Sequence, residues 1–354
     1  MELFKLPEEL DKALCKNIPE ILCLSNYAWN LQIANTFAKA AKKEKPNLII
    51  VFGGPNFPDS EEERTLFLKK YSSIDFYIIG EGEEGFVNLF KKLKEFGMNS
   101  AQLQKQKEKV QNCAYVLEDE LINGERAIIN NLNHVPCPYQ MGILDQFFSM
   151  PLIPIIETTR GCPFQCTFCA AGKQAANKVF RYDEERGTKT LQYIARRANN
   201  CDELIIADLN FGMYDFDVST ANTVSRLQKE KGYPLSIKAS AGKNKPEKII
   251  NITNILKGSG FLGAALQSTD PEVLKAIKRD NIPTDKIMNL AEFGKEQGNP
   301  TYTEIILGLP SDSKEKHFES LRVGVDMGLN SIRMYQLMLL AGTEMASPQS
   351  RKTF

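Results

Sequence analysis

Apolar residues in this chain come in short runs, and the runs alternate with stretches of helical spacing. Ile21-Leu-Cys-Leu24, Leu48-Ile-Ile-Val-Phe52 and Phe76-Tyr-Ile-Ile79 are uninterrupted enough to predict strands buried on both faces. Between the first two, Leu31, Ala34, Phe37, Ala38 and Ala41 share one helical face, and residues 86–94 read as a helix after the third. The second strand runs into Gly53-Gly54-Pro55 and the third into Gly80-Glu81-Gly82-Glu83. Apolar strands separated by helices predict a parallel sheet covered on both faces, with ligands at the strand C-terminal ends, where these glycines fall.

Over residues 100–150 the pattern changes. A Gln- and Lys-rich stretch, a hairpin predicted around Asn123-Gly124 and the proline-bearing Val135-Pro-Cys-Pro138 predict a connector with a small antiparallel element. Six strand-plus-helix units follow, with strands predicted at 152–157, 203–208, 235–240, 261–267, 302–307 and 331–337. Asp270-Pro271-Glu272 marks one helix start and a capping box from Asp312 to Glu315 another. The predicted class is α/β: a Rossmann-like parallel sheet at 1–99, the connector at 100–150, six units at 151–346, and the start of an extension at 347–354. Six units are too few for a closed eight-unit barrel.

Composition narrows the function. Lys plus Arg and Asp plus Glu balance at 44 each, so no overall field draws the chain to nucleic acid or to an anionic membrane. Apolar runs fall far short of the roughly 20 residues that span a bilayer. The N-terminus lacks the basic-then-apolar order of a signal peptide, which predicts a cytoplasmic protein with no membrane partner. In that compartment the eight cysteines read as thiols rather than disulfides. Only two histidines occur, His134 and His317, which argues against a histidine-based metal site or a Ser-His triad.

Three cysteines stand apart. Cys162, Cys166 and Cys169 are spaced C-x3-C-x2-C on a loop bounded by Gly161 and Gly172. Three thiolates so spaced suit three irons of a cubic iron-sulfur cluster and leave the fourth open. A structural zinc site would need a second ligand pair, and neither Cys nor His occurs within thirty residues after Cys169.

With Phe168 just before its last cysteine, this run resembles the radical S-adenosylmethionine (SAM) superfamily. The resemblance implies a partial (β/α)6 TIM-like barrel with its site at the strand C-terminal ends. It implies a 4Fe-4S cluster on Cys162, Cys166 and Cys169, with SAM at the open iron, cleaved by one electron to a 5'-deoxyadenosyl radical. Contacts to SAM are implied for Asp208 and Asn210 after the second strand, Ser240 after the third, and Gln267 and Ser268 after the fourth, with Lys243 a weaker candidate. A turn or a helix cap is the alternative for Asp208 and Asn210. Thr303-Glu-Ile-Ile-Leu-Gly-Leu-Pro310 resembles the strand that flanks the adenine in that family. Glu304 is an acid inside that apolar strand and needs a partner; Arg333 and Tyr335 on the sixth strand are candidates, or substrate contacts.

The N-terminal half carries a second resemblance. Ser25-Asn-Tyr27 and Gly53-Gly54 are similar to the Ser-x-Leu and Gly-Gly elements of cobalamin-binding Rossmann-like domains, where small residues admit the nucleotide tail. Their order, with Tyr27-Ala-Trp29-Asn30 and Gly80-Glu81-Gly82, resembles radical SAM proteins carrying a cobalamin domain, over about residues 20–346. Tyr27 and Trp29 would then pack near the corrin, with core packing as the alternative. The Asp-x-His-x-x-Gly motif is absent, so no histidine ligand to cobalt is implied. Against that family the chain reads as shortened at both ends, its cobalamin domain incomplete. The function implied is a cobalamin-dependent methyltransferase acting on an unactivated carbon or phosphorus centre. Its partners would be a small-molecule or biosynthetic-intermediate substrate and a reductant such as flavodoxin or ferredoxin. The alternatives are a radical rearrangement or oxidation without methyl transfer, and a non-catalytic cluster- or cobalamin-binding module.

Overall fold

The computed structural model describes all residues except 1, 5, 173–177, 243, 261, 264, 297 and 354. They form two compact units, one of residues 1–130 with 339–353 and one of residues 131–338. No helix among the described residues is long and apolar enough to cross a membrane, and all eight cysteines are free thiols.

The first unit runs α1 (Pro7–Lys16), β1 (Ile21–Ser25), α2 (Leu31–Glu44), β2 (Ile49–Gly53), α3 (Glu61–Lys70), β3 (Phe76–Ile78), α4 (Gly82–Glu95), α5 (Ser100–Lys105), β4 (Cys113–Leu117) and β5 (Glu120–Asn123). Its five strands lie side by side in chain order, the first three parallel and the last two antiparallel. The unbroken apolar run of β2 is explained by two cores. Ile50 and Phe52 pack with Ala34, Ala38 and Ala41 of α2 and Leu68 of α3, while Ile49 and Val51 pack with Leu89 and Leu93 of α4 and Leu103 of α5.

Residues 100–130, set apart in sequence as the start of a connector, contribute α5, β4 and β5 to this unit. The hairpin is present, but its turn is not at Asn123-Gly124. The chain reverses at Glu118-Asp119, both with positive φ (48° and 72°). A two-residue turn of this kind usually takes Asn or Gly, so its sequence signal was missing. Gly124 answers a different need, since a Cβ there would lie 1.7 Å from the Val110 carbonyl oxygen.

The second unit runs β6 (Ile155–Ile156), β7 (Thr159–Arg160), β8 (Phe180–Arg181), α6 (Glu184–Ala195), β9 (Glu203–Phe211), α7 (Asp217–Lys231), β10 (Ser236–Ala241), α8 (Pro246–Leu256), β11 (Leu262–Gly263), α9 (Pro271–Ala276), α10 (Thr284–Glu296), β12 (Thr301–Leu307), α11 (Lys314–Asp326) and β13 (Ser331–Gln336). Parallel pairing gives β6-β9-β10 and β11-β12-β13, and a parallel bridge between Ile237 and Gly260 joins the two sets. Six parallel strands thus occur where six were expected, and within this unit a helix follows each of the first five before the next begins. Leu204 and Ile206 of β9 meet Leu191 and Ile194 of α6 and Val224 and Leu227 of α7 in one core.

Two boundaries differ from expectation in ways that matter for the site. Strand β9 continues through Phe211, so Asp208 and Asn210 lie inside it rather than beyond its end. The fourth predicted strand is reduced to β11 and a separate parallel bridge between Gln267 and Ile305, with Phe261 and Ala264 outside the described residues. At α9 the predicted cap holds, Asp270 accepting from the N–H groups of Glu272 and Val273 at 3.0 Å each. At α11 the cap is Ser313, one residue past the one expected, and Asp312 lies 3.7 Å from His317 Nδ1 instead. The last helix, α12 (Pro348–Thr353), is grouped with the first unit.

Candidate functional site

Antiparallel pairing of β7 with β8 brackets the cysteine loop at its base. Inside the loop, Cys169 N–H donates to the Cys166 carbonyl at 3.1 Å and Gly172 N–H to the Cys169 carbonyl at 2.9 Å. A Cβ on Gly172 would lie 2.3 Å from the Cys166 carbonyl oxygen, so this tight return requires glycine. Cys162 and Cys166 are 2% and 3% exposed, while Cys169 and Phe168 are half-buried. Asn210 Nδ2 donates to Cys162 Sγ at 3.3 Å, and Arg279 Nη1 lies 3.8 Å from Cys166 Sγ. Among the described residues no three His, Cys, Asp or Glu side chains converge closely enough to hold a single metal ion. A cubic cluster makes no such demand, because each thiolate takes a different iron, and N–H donors beside thiols suit thiolate ligands.

The strand-end candidates separate by what their polar atoms already do. Asp208 is 1% exposed and faces the entry of the cysteine loop. Its Oδ1 accepts from the N–H groups of Thr158 at 2.7 Å and Thr159 at 3.1 Å, and its Oδ2 from the Thr158 hydroxyl. Burial pushes its pKa up while these bonds pull it back. Both oxygens are thus engaged in fixing the loop. Asn210 differs: its Oδ1 is buried and meets no protein donor. Gln267 Oε1 is in the same condition, on a residue held at φ 64° by hydrogen bonds of its N–H to the Glu304 carbonyl and of its carbonyl to Ile306 N–H. Buried polar atoms without partners, one on a strained backbone, suit a bound polar ligand.

Ser268 accepts from Asp270 N–H at 3.2 Å and lies 3.4 Å from the Ser320 hydroxyl, which places it in the start of α9. Ser240 is exposed near the end of β10. Lys243 lies outside the described residues. Arg333 sits opposite Glu304 in the β12–β13 register, but its guanidinium lies 3.9 Å over the ring of Tyr302; Tyr335 is exposed.

Sequence reasoning missed three residues here: Arg279, Tyr214 and Asp217. Asp217 Oδ2 accepts from the N–H groups of Gly212 at 2.8 Å and Tyr214 at 3.0 Å and shapes the turn after β9. Its other oxygen and the Tyr214 hydroxyl are buried without protein partners. Burial pushes Asp217 up to about 6, with the Asp208 charge adding to the shift. Burial likewise pushes Tyr214 up to about 12, helped by the charges of Cys162 and Asp217. Acidic and aromatic residues are common in capping turns, and an arginine shortly after a helix is ordinary, so none of the three stood out in sequence.

In the first unit the candidate residues gather at the C-terminal ends of β1, β2 and β3. Ser25, Tyr27 and Trp29 are exposed, and the Tyr27 and Trp29 rings stack at 4.5 Å and 16°. With 78% of Trp29 exposed, core packing does not account for it. Asn30 fixes this loop, its Nδ2 donating to Ser25 Oγ at 2.8 Å and its Oδ1 accepting from Tyr27 N–H at 2.7 Å.

Buried Asn26, absent from the sequence candidates, ties the first two loops together: its Nδ2 donates to the Asn56 carbonyl at 2.7 Å and to the Tyr77 hydroxyl at 2.9 Å. Tyr77 passes the bond on to the Gly54 carbonyl at 2.9 Å. Gly54, at φ 128°, would put a Cβ 2.6 Å from the Asn26 carbonyl oxygen, so it serves the approach of the two loops to each other. Gly53 has ordinary room. Gly80 takes φ 76°, Glu81 precedes α4 and accepts from Ile129 N–H, and Gly82 opens the helix with free space beside it. An exposed aromatic pair beside glycine-lined loops suits a flat macrocycle with a polar tail.

Residues 156–322 match the family model of the Radical SAM superfamily, and residues 1–90 match that of the B12 binding domain. A protein named cobalamin-dependent radical SAM methyltransferase TokK, from Streptomyces tokunonensis, is 28% identical over 343 residues, covering 94% of this chain and 48% of that protein. A 2-(S-pantetheinyl)-carbapenam-3-carboxylate methyltransferase from Streptantibioticus cattleyicolor is 26% identical with the same coverage. The chain spans about half the length of these curated relatives. The methyltransferase TsrM from Kitasatospora setae, solved with cobalamin and a 4Fe-4S cluster bound, superposes with a TM-score of 0.69 at 12% identity over 96% of this chain and 65% of that one. At that identity the likeness is one of fold.

Proposed function

The chain belongs to the radical SAM proteins that carry a B12-binding domain, and from this premise we propose that it is a cobalamin-dependent methyltransferase acting on an unactivated carbon or phosphorus centre. The observation that carries the reading is the cysteine loop, with two buried thiols beside N–H donors and the unpartnered oxygens of Asn210 in β9 and of Gln267, bridged to β12, in the same unit. When bound, the cofactors supply one-electron cleavage of SAM, the hydrogen-abstracting radical and a methyl carrier. The chain's own residues supply position. Cys162, Cys166 and Cys169 hold the cluster, Asn210 and Gln267 orient SAM through their unpartnered oxygens, and Ser240 is free to join them. Asp208 acts one step back by fixing the loop, and Ser268 by starting α9.

In the first unit, Tyr27 and Trp29 offer a face to the corrin, and the loops at Ser25, Gly53-Gly54 and Gly80-Glu81-Gly82 border the tail. A small biosynthetic intermediate is the substrate class that fits relatives named for such substrates. A flavodoxin or ferredoxin would deliver the electron, in a reducing cytoplasm where free thiols persist.

The test is anaerobic reconstitution with iron, sulfide and hydroxocobalamin, followed by SAM and a strong reductant. Release of 5'-deoxyadenosine that disappears in a Cys162→Ala, Cys166→Ala, Cys169→Ala variant supports the radical chemistry, and a methylated product supports methyl transfer. Deoxyadenosine with a rearranged or oxidised product would replace the methyltransferase reading. No release from a protein with an intact cluster would reduce it to a binding module.

A further inference from the structure

The two buried cysteine sulfurs are each approached by a nitrogen from a different part of the second unit. Asn210 Nδ2 reaches Cys162 from inside β9, and Arg279 Nη1 reaches Cys166 from the segment after α9. Arg279 is 6% exposed. Its guanidinium is fixed from two further sides, Nε donating to Asn281 Oδ1 at 2.9 Å and Nη2 to the Ala265 carbonyl. Asn281 is itself anchored by donation to the Ser268 carbonyl at 2.8 Å. The Cys166 side is braced as well, since Thr167 N–H donates to the Ile277 carbonyl at 3.2 Å. An arginine keeps its charge at any working pH. A full positive charge is therefore held beside one thiol, and a neutral donor beside the other, where little water intervenes.

We propose that Asn210 and Arg279 set the reduction potential of the iron-sulfur cluster, raising it by favouring the reduced form. The inference rests on the cluster reading above. Adding one electron, from an external low-potential donor, makes the unit of cluster and thiolates more negative by one charge without making or breaking a bond. N–H donors and a fixed cation stabilise the more negative state more strongly, which moves the potential upward. In setting the potential both residues act through the cysteine sulfurs, Asn210 by its Nδ2 alone, its Oδ1 being the atom turned to SAM in the reading above.

The experiment compares wild type with Asn210→Leu, Arg279→Met and Arg279→Lys. Each protein is reconstituted anaerobically, its iron and sulfide are counted, and its midpoint potential is read from a reductive titration followed by electron paramagnetic resonance. Asn210→Leu and Arg279→Met are expected to shift the midpoint to more negative values, with Arg279→Lys between Arg279→Met and wild type. At a fixed sub-saturating dose of reductant, the reduced fraction should fall severalfold in the first two. Midpoints equal to wild type in fully loaded variants would overturn the proposal. If Arg279→Met takes up no iron, Asn210→Leu and Arg279→Lys decide by the same measure, and loss of iron from all three would also overturn it by assigning the pair to loop folding. Wild type that takes up no cluster would overturn the underlying reading, a distinct outcome.

Discussion

Asp208 and Thr158 are joined twice, through the Thr158 N–H at 2.7 Å and through the Thr158 hydroxyl, so the interior of β9 holds the chain where it enters the cysteine loop. The carboxylate also takes the Thr159 N–H, which makes one side chain the anchor of two consecutive residues.

Replacing Asp208 with alanine would leave two N–H groups and a hydroxyl unpaired in the interior. The expected loss is about 3 kcal/mol of stability, together with reduced iron uptake. Asp208→Asn keeps an acceptor for the N–H groups and is expected to retain most of both. Thermal unfolding and iron content after reconstitution check the pair, and an alanine variant that loads and melts like wild type would refute the anchoring role.

Asp217 makes stability depend on pH. Its folded pKa is raised to about 6 from 3.8, chiefly by burial, so the folded state holds the proton more tightly than the unfolded one. Below about pH 4 both states are protonated and the group costs nothing; as pH rises from about 4 to 6, stability is lost, and above that the loss is complete at about 3 kcal/mol. Asp217→Asn preserves an acceptor for Gly212 and Tyr214 and should flatten the pH dependence of unfolding in that window. An unchanged slope would contradict the buried-charge account.

Tyr77→Phe removes the hydroxyl that links Asn26 to Gly54. The Gly54 carbonyl and the buried Asn26 amide N–H lose a partner, for an expected cost of about 1 to 2 kcal/mol confined to the first unit. Amide exchange should rise in the β1 and β2 loops and stay unchanged in residues 131–338.

Trp29 is the single tryptophan of the chain and is 78% exposed. Titration with hydroxocobalamin is therefore expected to quench essentially all tryptophan emission if the Tyr27–Trp29 pair contacts the corrin. Trp29→Ala should weaken retention of the corrinoid on gel filtration with little change in melting temperature. Emission untouched by bound corrinoid would place the macrocycle elsewhere.

Much of the fold was legible because fully buried parallel strands have to be apolar throughout. Residues 48–52 could hardly be anything else, and the spacing of Cys162, Cys166 and Cys169 set one loop apart from the rest. What escaped was decided by long-range partners. The hairpin turn fell on Glu118-Asp119 because β4 and β5 pair in that register, overriding the local appeal of Asn123-Gly124. Asp208 was placed just past the second strand, where the family resemblance implies a SAM contact, and nothing local showed that its carboxylate accepts from Thr158 and Thr159, about fifty residues away. Asn26 and Arg279 carried no signal, since an asparagine in a loop and an arginine after a helix are ordinary until their partners are known. Gly54 meets a requirement that sequence did not show, since a Cβ there would lie 2.6 Å from the Asn26 carbonyl oxygen.

Strand β2 reads residues by parity. Odd positions Ile49 and Val51 belong to one core and even positions Ile50 and Phe52 to the other. Exchanging one aliphatic residue for another leaves that assignment intact, whereas gaining or losing a single residue exchanges the occupants of both cores at once. A length change of two restores the assignment at the cost of a longer or shorter loop. The segment is thus forgiving about which apolar residue it carries and unforgiving about how many.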